Sequence, residues 1–335
     1  MTALRYDVLA FGNAIVDVLA PVDDDFLIAH SLRKGTMQLV DEAQAGALYD
    51  AMGATTIISG GSAANTVVGV ASFGGKAAFV GKVRADEAGR EFAHDIKAAG
   101  VHFATAAAQD GPSTARCLVL VTPDGQRTMN TYLGACQNLT VADIDAAEVA
   151  ASQILYLEGY LWDPPAAKKA FVEAARIAHQ AGRQVALTLS DVFCVDRYRS
   201  EFQGLIRDGI VDLLFANESE LHALYQTADF DAAVAALRQD GILAAVTRSE
   251  KGAIVVKGDA FCAAPAAPIE KLVDTTGAGD LFAAGFLAGY TRGATLDHCA
   301  RLGALAAAEV IQHYGARPEV NLARLAEQSD FIHAL

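Results

Sequence analysis

Asp280 is the side chain in this sequence best placed to do chemistry. It closes the heptapeptide 274–280, Asp-Thr-Thr-Gly-Ala-Gly-Asp, and is followed at once by the apolar run 281–287. That run reads as a buried helix, and the glycines before it as the turn feeding its first residues. The first amides of a helix lack partners inside it and sit at the positive end of its dipole. Gly277, Ala278 and Gly279 therefore read as a corner of bare N–H groups that can hold phosphate oxygens or a developing negative charge. A carboxylate there is a poor phosphate ligand, but it can take the proton of a hydroxyl attacking phosphorus. A plainer account also fits: Asp280 complements the helix dipole and the glycines make a tight loop.

Three more polar groups have chemical potential. Asn13 and Asp17 lie four residues apart just after a first apolar segment, 6–12, and suit a ligand's hydroxyls or a capped turn. Gly60 and Gly61 precede Asn65 in Gly-Gly-Ser-Ala-Ala-Asn, which allows close backbone approach and a hydroxyl partner, or simply an N-cap at Ser62. Asn217 and Glu220 share a helix face and could hold hydrated magnesium or phosphates, or could form a capping box.

The elements that must position these groups alternate along the chain. Segments 6–12, 77–81, 153–157, 184–189, 211–215 and 243–246 read as strands. Stretches 66–73, 86–98, 166–181, 218–225 and 231–238 read as helices. Such alternation predicts a mostly parallel sheet covered on both faces, in a single domain spanning 1–335. Segments 116–121 and 127–132 break the pattern: they flank Thr-Pro-Asp-Gly-Gln and read as a hairpin, either a cover over the sheet's carboxyl end or an edge elaboration. Thr247, Ser249 and Gly252 lie in a polar turn between strands. Ala304 and Ala307 lie on a late helix whose small residues form either a flat wall for a base or a packing face.

Composition narrows the partners. A formal charge of −14 opposes nucleic-acid binding over a broad surface, and 53% apolar residues allow a large core. Five scattered cysteines without Cys-x-x-Cys suggest neither disulfides nor zinc and suit the cytoplasm. No apolar run reaches the about 18 residues of a membrane helix. Gly74-Gly75-Lys76 is followed by alanine, so there is no P-loop, and no Gly-x-Gly-x-x-Gly follows the first strand.

The heptapeptide, with Gly-Asn-x-x-x-Asp at residues 12–17, Gly-Gly-Ser-Ala-Ala-Asn at 60–65 and Asn-x-x-Glu at 217–220, resembles the ribokinase-like family of sugar and nucleoside kinases, nearest its adenosine kinase end. Ribokinases typically show Gly-Ser where this chain has Gly-Asn at 12–13, and Gly-Gly-Lys-Gly-Ala-Asn where it has Gly-Gly-Ser-Ala-Ala-Asn at 60–65. The resemblance spans residues 12–318 and implies a three-layer α/β/α fold with a small β lid, assigned to 14–40 and 102–135. It implies Asp280 as catalytic base and the 277–279 amides as anion hole. Substrate would be gripped by Asn13, Asp17, Gly60, Gly61 and Asn65. Nucleotide would be held by Asn217, Glu220, Thr247, Ser249, Gly252, Ala304 and Ala307. Asp274 and Thr276 match positions that serve a monovalent cation, potassium, in some relatives. The expected activity is transfer from ATP, with magnesium, to a primary hydroxyl, with adenosine to AMP as the first choice. The alternatives are ribokinase, fructokinase or another sugar kinase, and below them a sensor without catalysis. Leu133, Phe103 and Cys117 offer an apolar slot for a base. The expected partners are small molecules, with no nucleic acid or membrane, and the expected state is monomer or homodimer.

Overall fold

The computed structural model describes residues 3–333. Its strands are β1 (Tyr6–Phe11), β2 (Ile15–Pro21), β3 (Met37–Leu39), β4 (Thr56–Ser59), β5 (Ala77–Val80), β6 (His102–Phe103), β7 (Ala115–Val121), β8 (Arg127–Tyr132), β9 (Ser152–Glu158), β10 (Gln184–Thr188), β11 (Leu213–Asn217), β12 (Leu243–Thr247), β13 (Ala253–Lys257) and β14 (Ala260–Ala264). One sheet runs β14-β13-β12-β11-β10-β9-β1-β5-β6 and a second runs β3-β8-β7-β2-β4. In the first, every neighbouring pair from β6 to β12 is parallel, and β13 and β14 extend it antiparallel.

The central strands are apolar on both sides because both faces are covered. In β1, Val8 and Ala10 point into one core and Leu9 and Phe11 into the other. The first core is closed by the helices Ser62–Ser72, Ala278–Tyr290 and Leu296–Val310, and the second by Pro165–Gln180, Val192–Arg207 and Phe230–Gln239. These are the three layers that the alternation predicts.

The second sheet contains the expected hairpin, with β7 antiparallel to β8 and β2 parallel to β7. Its membership differs from the expected bounds in two places. β4, at 56–59, pairs with β2 although it lies outside both assigned segments. β6 lies inside one of them but pairs with β5 in the large sheet. Phe103 explains the second difference: its ring packs 6.0 Å from Phe79 and 5.6 Å from Phe92, deep in the first core. Asp17 sits on β2 rather than in a turn, and the helix expected from residue 66 already starts at Ser62, after Gly61 in a positive-φ conformation.

Candidate active site

The two sheets and the helix layer enclose a cavity of about 1040 Å³. Each residue singled out above for catalysis, substrate, nucleotide or cation lines it, except Gly60 and Asp274. The assembly follows from topology. Carboxyl ends of parallel strands point the same way, so Glu158, Thr188, Asn217 and Thr247, at the ends of β9, β10, β11 and β12, all face this space.

Asp280 occupies the first turn of the Ala278–Tyr290 helix, whose N-cap is Gly277 at φ +79°. A side chain at Gly277 would meet Ala316 at 2.7 Å, so both the turn and its close packing require glycine. Gly279 differs: a Cβ there would have nothing within 4 Å, because it would point into open space. The Asp280 carboxylate is held from both sides. Oδ1 accepts from the Ser62 hydroxyl at 2.6 Å and Oδ2 from the Asn65 amide at 3.1 Å. Burial pushes its pKa up to about 6 although both hydrogen bonds favour the ionised form. Asn65 Oδ1 is itself buried with no partner, an acceptor left open beside the carboxylate.

Asp17 faces the same end of the cavity from β2. Burial raises its pKa to about 7; Arg127 and Arg317 pull it down, and Asp280 and Asp274 push it up. Gly60 does not line the cavity but backs Asp17: a Cβ on Gly60 would stand 2.2 Å from Asp17 Oδ2. Asn13 is buried, and its amide donates to Glu158 Oε1 at 2.7 Å. Glu158 also accepts from the Ala63 N–H at 2.8 Å, and burial pushes its pKa to about 7.

At the far end, Asn217 and Glu220 form a full capping box on the Glu218–Tyr225 helix: the Asn217 side chain accepts from the Glu220 N–H, and Glu220 accepts from the Asn217 N–H at 3.0 Å. The capping account is therefore realised, and both side chains also face the cavity. Burial raises Glu220 to about 7. Ser190 and Ser249, both cavity-lining, hold left-handed backbone at φ 69° and 53°, a strained state for non-glycine residues. Ala304 and Ala307 line the wall beside Ile311.

Asp274 is not open to a cation. It is buried, accepts from the Thr276 and Gly315 N–H groups, and is ion-paired with Arg127. A guanidinium already matches its charge, so these residues do not fit a potassium ion held by that carboxylate. Of the expected apolar slot, Leu133 and Cys117 line the cavity, with Ile15, Met37, Leu39 and Met129 from the same small sheet. Phe103 does not; its ring packs against Phe79 and Phe92 in the first core, away from this cavity.

Sequence reasoning missed Ser62, Glu158 and Arg127. Glu158 carries a usable signal, an acid ending an apolar parallel strand. In the sequence Ser62 signals only a cap, and Arg127 has no local signal.

Residues 36–322 match the pfkB family carbohydrate kinase pattern. The chain belongs to the pfkB family of carbohydrate kinases. A solved adenosine kinase from Sinorhizobium meliloti is similar at 55% identity and a TM-score of 0.93, covering 97% of this chain and 99% of that one. A probable sugar kinase from Rhizobium etli CFN 42 is similar at 52% identity and a TM-score of 0.94, covering 98% and 99%. Adenosine kinase from Saccharomyces cerevisiae is 28% identical over 330 residues, 92% of this chain and 95% of that protein. The architecture is thus the ribokinase-like one, and the chain is a kinase with an alcohol acceptor. No helix among the described residues is long and apolar enough to cross a membrane.

Proposed function

We propose that this kinase transfers the γ-phosphoryl group of ATP to the primary hydroxyl of adenosine, giving AMP and ADP. One observation carries the choice of acceptor. The Asp280 carboxylate, the polar pair Asn13 and Asp17, and an apolar wall from the small sheet share one cavity. A sugar needs only the polar groups; an apolar wall beside them suits a purine. The kinship with adenosine kinases across nearly the whole chain points the same way.

In this reading Asp17, Asn13, Asn65 and the 60–61 backbone hold the ribose hydroxyls. Asp280 accepts the proton of the attacking hydroxyl, while Ser62 and Asn65 keep its two oxygens in place. The amides of Gly277 and Gly279 face the charge that grows on the transferring phosphoryl; the Ala278 N–H, expected to be bare, donates to the Thr275 carbonyl at 3.3 Å instead. The small sheet acts as a lid that excludes water, within one catalytic unit. Asn217, Glu220, the 247–252 loop and the alanine wall at Ala304 and Ala307 receive the nucleotide. Among the described residues no group of three or more His, Cys, Asp or Glu side chains forms a metal cage. Asn217 and Glu220 would hold magnesium that comes with the phosphates, where it would neutralise charge on them. Every group named belongs to one chain, so a monomer suffices, and five free cysteines suit a reducing cytoplasm where AMP is made by salvage.

The test is ADP release with MgATP and, in turn, adenosine, other nucleosides, ribose and fructose. Adenosine is expected to give the highest kcat/KM. Preference for fructose or ribose would move the assignment to a sugar kinase, and binding without ADP release would leave a sensor.

A further inference from the structure

A second cavity, of about 320 Å³, lies against the Glu87–Ala98 helix and the segments 83–85 and 103–107. Arg90, Ala93 and Lys97 recur at helical spacing and present one face of the helix to it. Arg84 joins them from the segment before the helix. No acidic residue lines this hollow.

That is unusual in a chain with 40 acidic and 26 basic residues. Several cations elsewhere are matched: Lys34, Lys82, Lys168, Arg197 and Arg248 each hold a carboxylate. Among the described residues Arg90 and Lys97 hold none. Lys97 lies 6.0 Å from the centroid of the Phe103 ring, and Arg84 gives a guanidinium N–H to the Gly111 carbonyl. The carboxylate nearest Arg84 in sequence, Asp86, is engaged by the Thr114 hydroxyl and by the N–H groups of Thr114 and Gly89, and Asp95, two residues before Lys97, accepts from the Ser59 hydroxyl at 2.7 Å. A further polar group is unsatisfied: Thr105 Oγ1, in the wall of the hollow, is buried with no hydrogen-bond partner. Buried hydroxyls normally find one.

We propose that this hollow is a binding site for a small organic phosphate. Arg84, Arg90, Lys97 and Thr105 take the phosphate oxygens, and Val83, Ala93 and Phe103 take the carbon body. Its size is at the low end for ligand cavities, which admits one phosphomonoester and excludes a polymer. The site shares no lining residue with the large cavity, so it stands whether or not adenosine is the acceptor.

Calorimetric titration with phenyl phosphate tests it, using wild type, the double variant Arg90→Glu, Lys97→Glu, and Ala93→Leu. Arg90 and Lys97 are exposed, so the double variant should keep its fold, which its thermal midpoint checks. Ala93→Leu fills the hollow without touching charge and serves if the first variant fails to fold. Either variant is expected to lower one component of phenyl phosphate affinity by about tenfold or more, and added salt should weaken the same component. Binding at the large cavity would persist unchanged in both. Equal titrations for all three proteins would overturn the site. Phenol binding as tightly as phenyl phosphate would overturn its anionic character, and inorganic phosphate binding as tightly would overturn its preference for an organic body.

Discussion

At one end of the large cavity the polar side chains are tied to partners far away in the chain: Ser62 and Asn65 to Asp280, and Asn13 to Glu158. At the other end the ties are short. Asn217 and Glu220 close a capping box within one helix turn. Short ties form with the helix and need no ligand to explain them. Long ties require the whole fold, and here they leave a cost that packing alone would not select, Asn65 Oδ1 without a partner; burial raises carboxylates at both ends, Asp17, Glu158 and Asp280 at the first and Glu220 at the second. On the proposed function, the first end would hold the acceptor, and the second would superimpose nucleotide contacts on helix capping.

The largest effect is expected from Asp280→Asn. The amide still accepts from Ser62 and keeps its size, but it cannot take a proton. Turnover should fall by about 10³-fold, within the span of general base catalysis, while nucleotide affinity measured by calorimetry stays within about twofold. Turnover near wild type would dissolve the contrast between the two ends.

The pH profile comes next. Asp280 must be ionised to act as base, so activity is lost as pH falls through its pKa of about 6. That group alone gives a loss of about tenfold between pH 7 and 5. Asp17, at about 7, must be charged to accept two hydroxyl hydrogen bonds, so log kcat/KM should steepen toward a slope of about two at the acid end. In Asp17→Asn the slope should return to about one. A flat profile from pH 8 to 5 would remove both carboxylates from the reaction.

Gly279→Ala separates chemistry from folding. The added methyl meets nothing within 4 Å and replaces a glycine inside a helix, so the thermal midpoint should hold or rise. It also projects into the space assigned to the phosphoryl group, so kcat should drop by about tenfold. Unchanged kcat would place the transferring group elsewhere.

The same division governs what could be read from the sequence. The strand and helix alternation was legible because burial on both faces writes continuous apolar runs, and the Asn217 box was legible because its members lie three residues apart. The heptapeptide carried Asp280 by its own glycines. Arg127 was not legible: nothing near it in sequence signals that a hairpin arginine ends on Asp274, 147 residues away. β6 failed for a related reason, since a two-residue strand is fixed by where Phe103 packs rather than by any period. Local chemistry is visible in a sequence, and contacts made only by the tertiary fold are not.

The smallest effect, at the far end, separates the two accounts of Asn217. Serine is as good an N-cap as asparagine and keeps the Ser-x-x-Glu box, so Asn217→Ser should leave the thermal midpoint unchanged. It deletes the amide that donates to Glu220 Oε1 at 2.6 Å, at a position lining the cavity. Asn217→Ala removes the cap as well, at a cost of about 1 kcal/mol. Capping with superimposed nucleotide contact predicts a rise of about threefold in KM for ATP in both variants, with kcat unchanged and stability lost only in the alanine form. If KM stays at the wild-type value in the serine form, this end is capping alone and the contrast sharpens. If kcat collapses in the serine form, Asn217 takes part in the chemical step and the division between the ends is wrong.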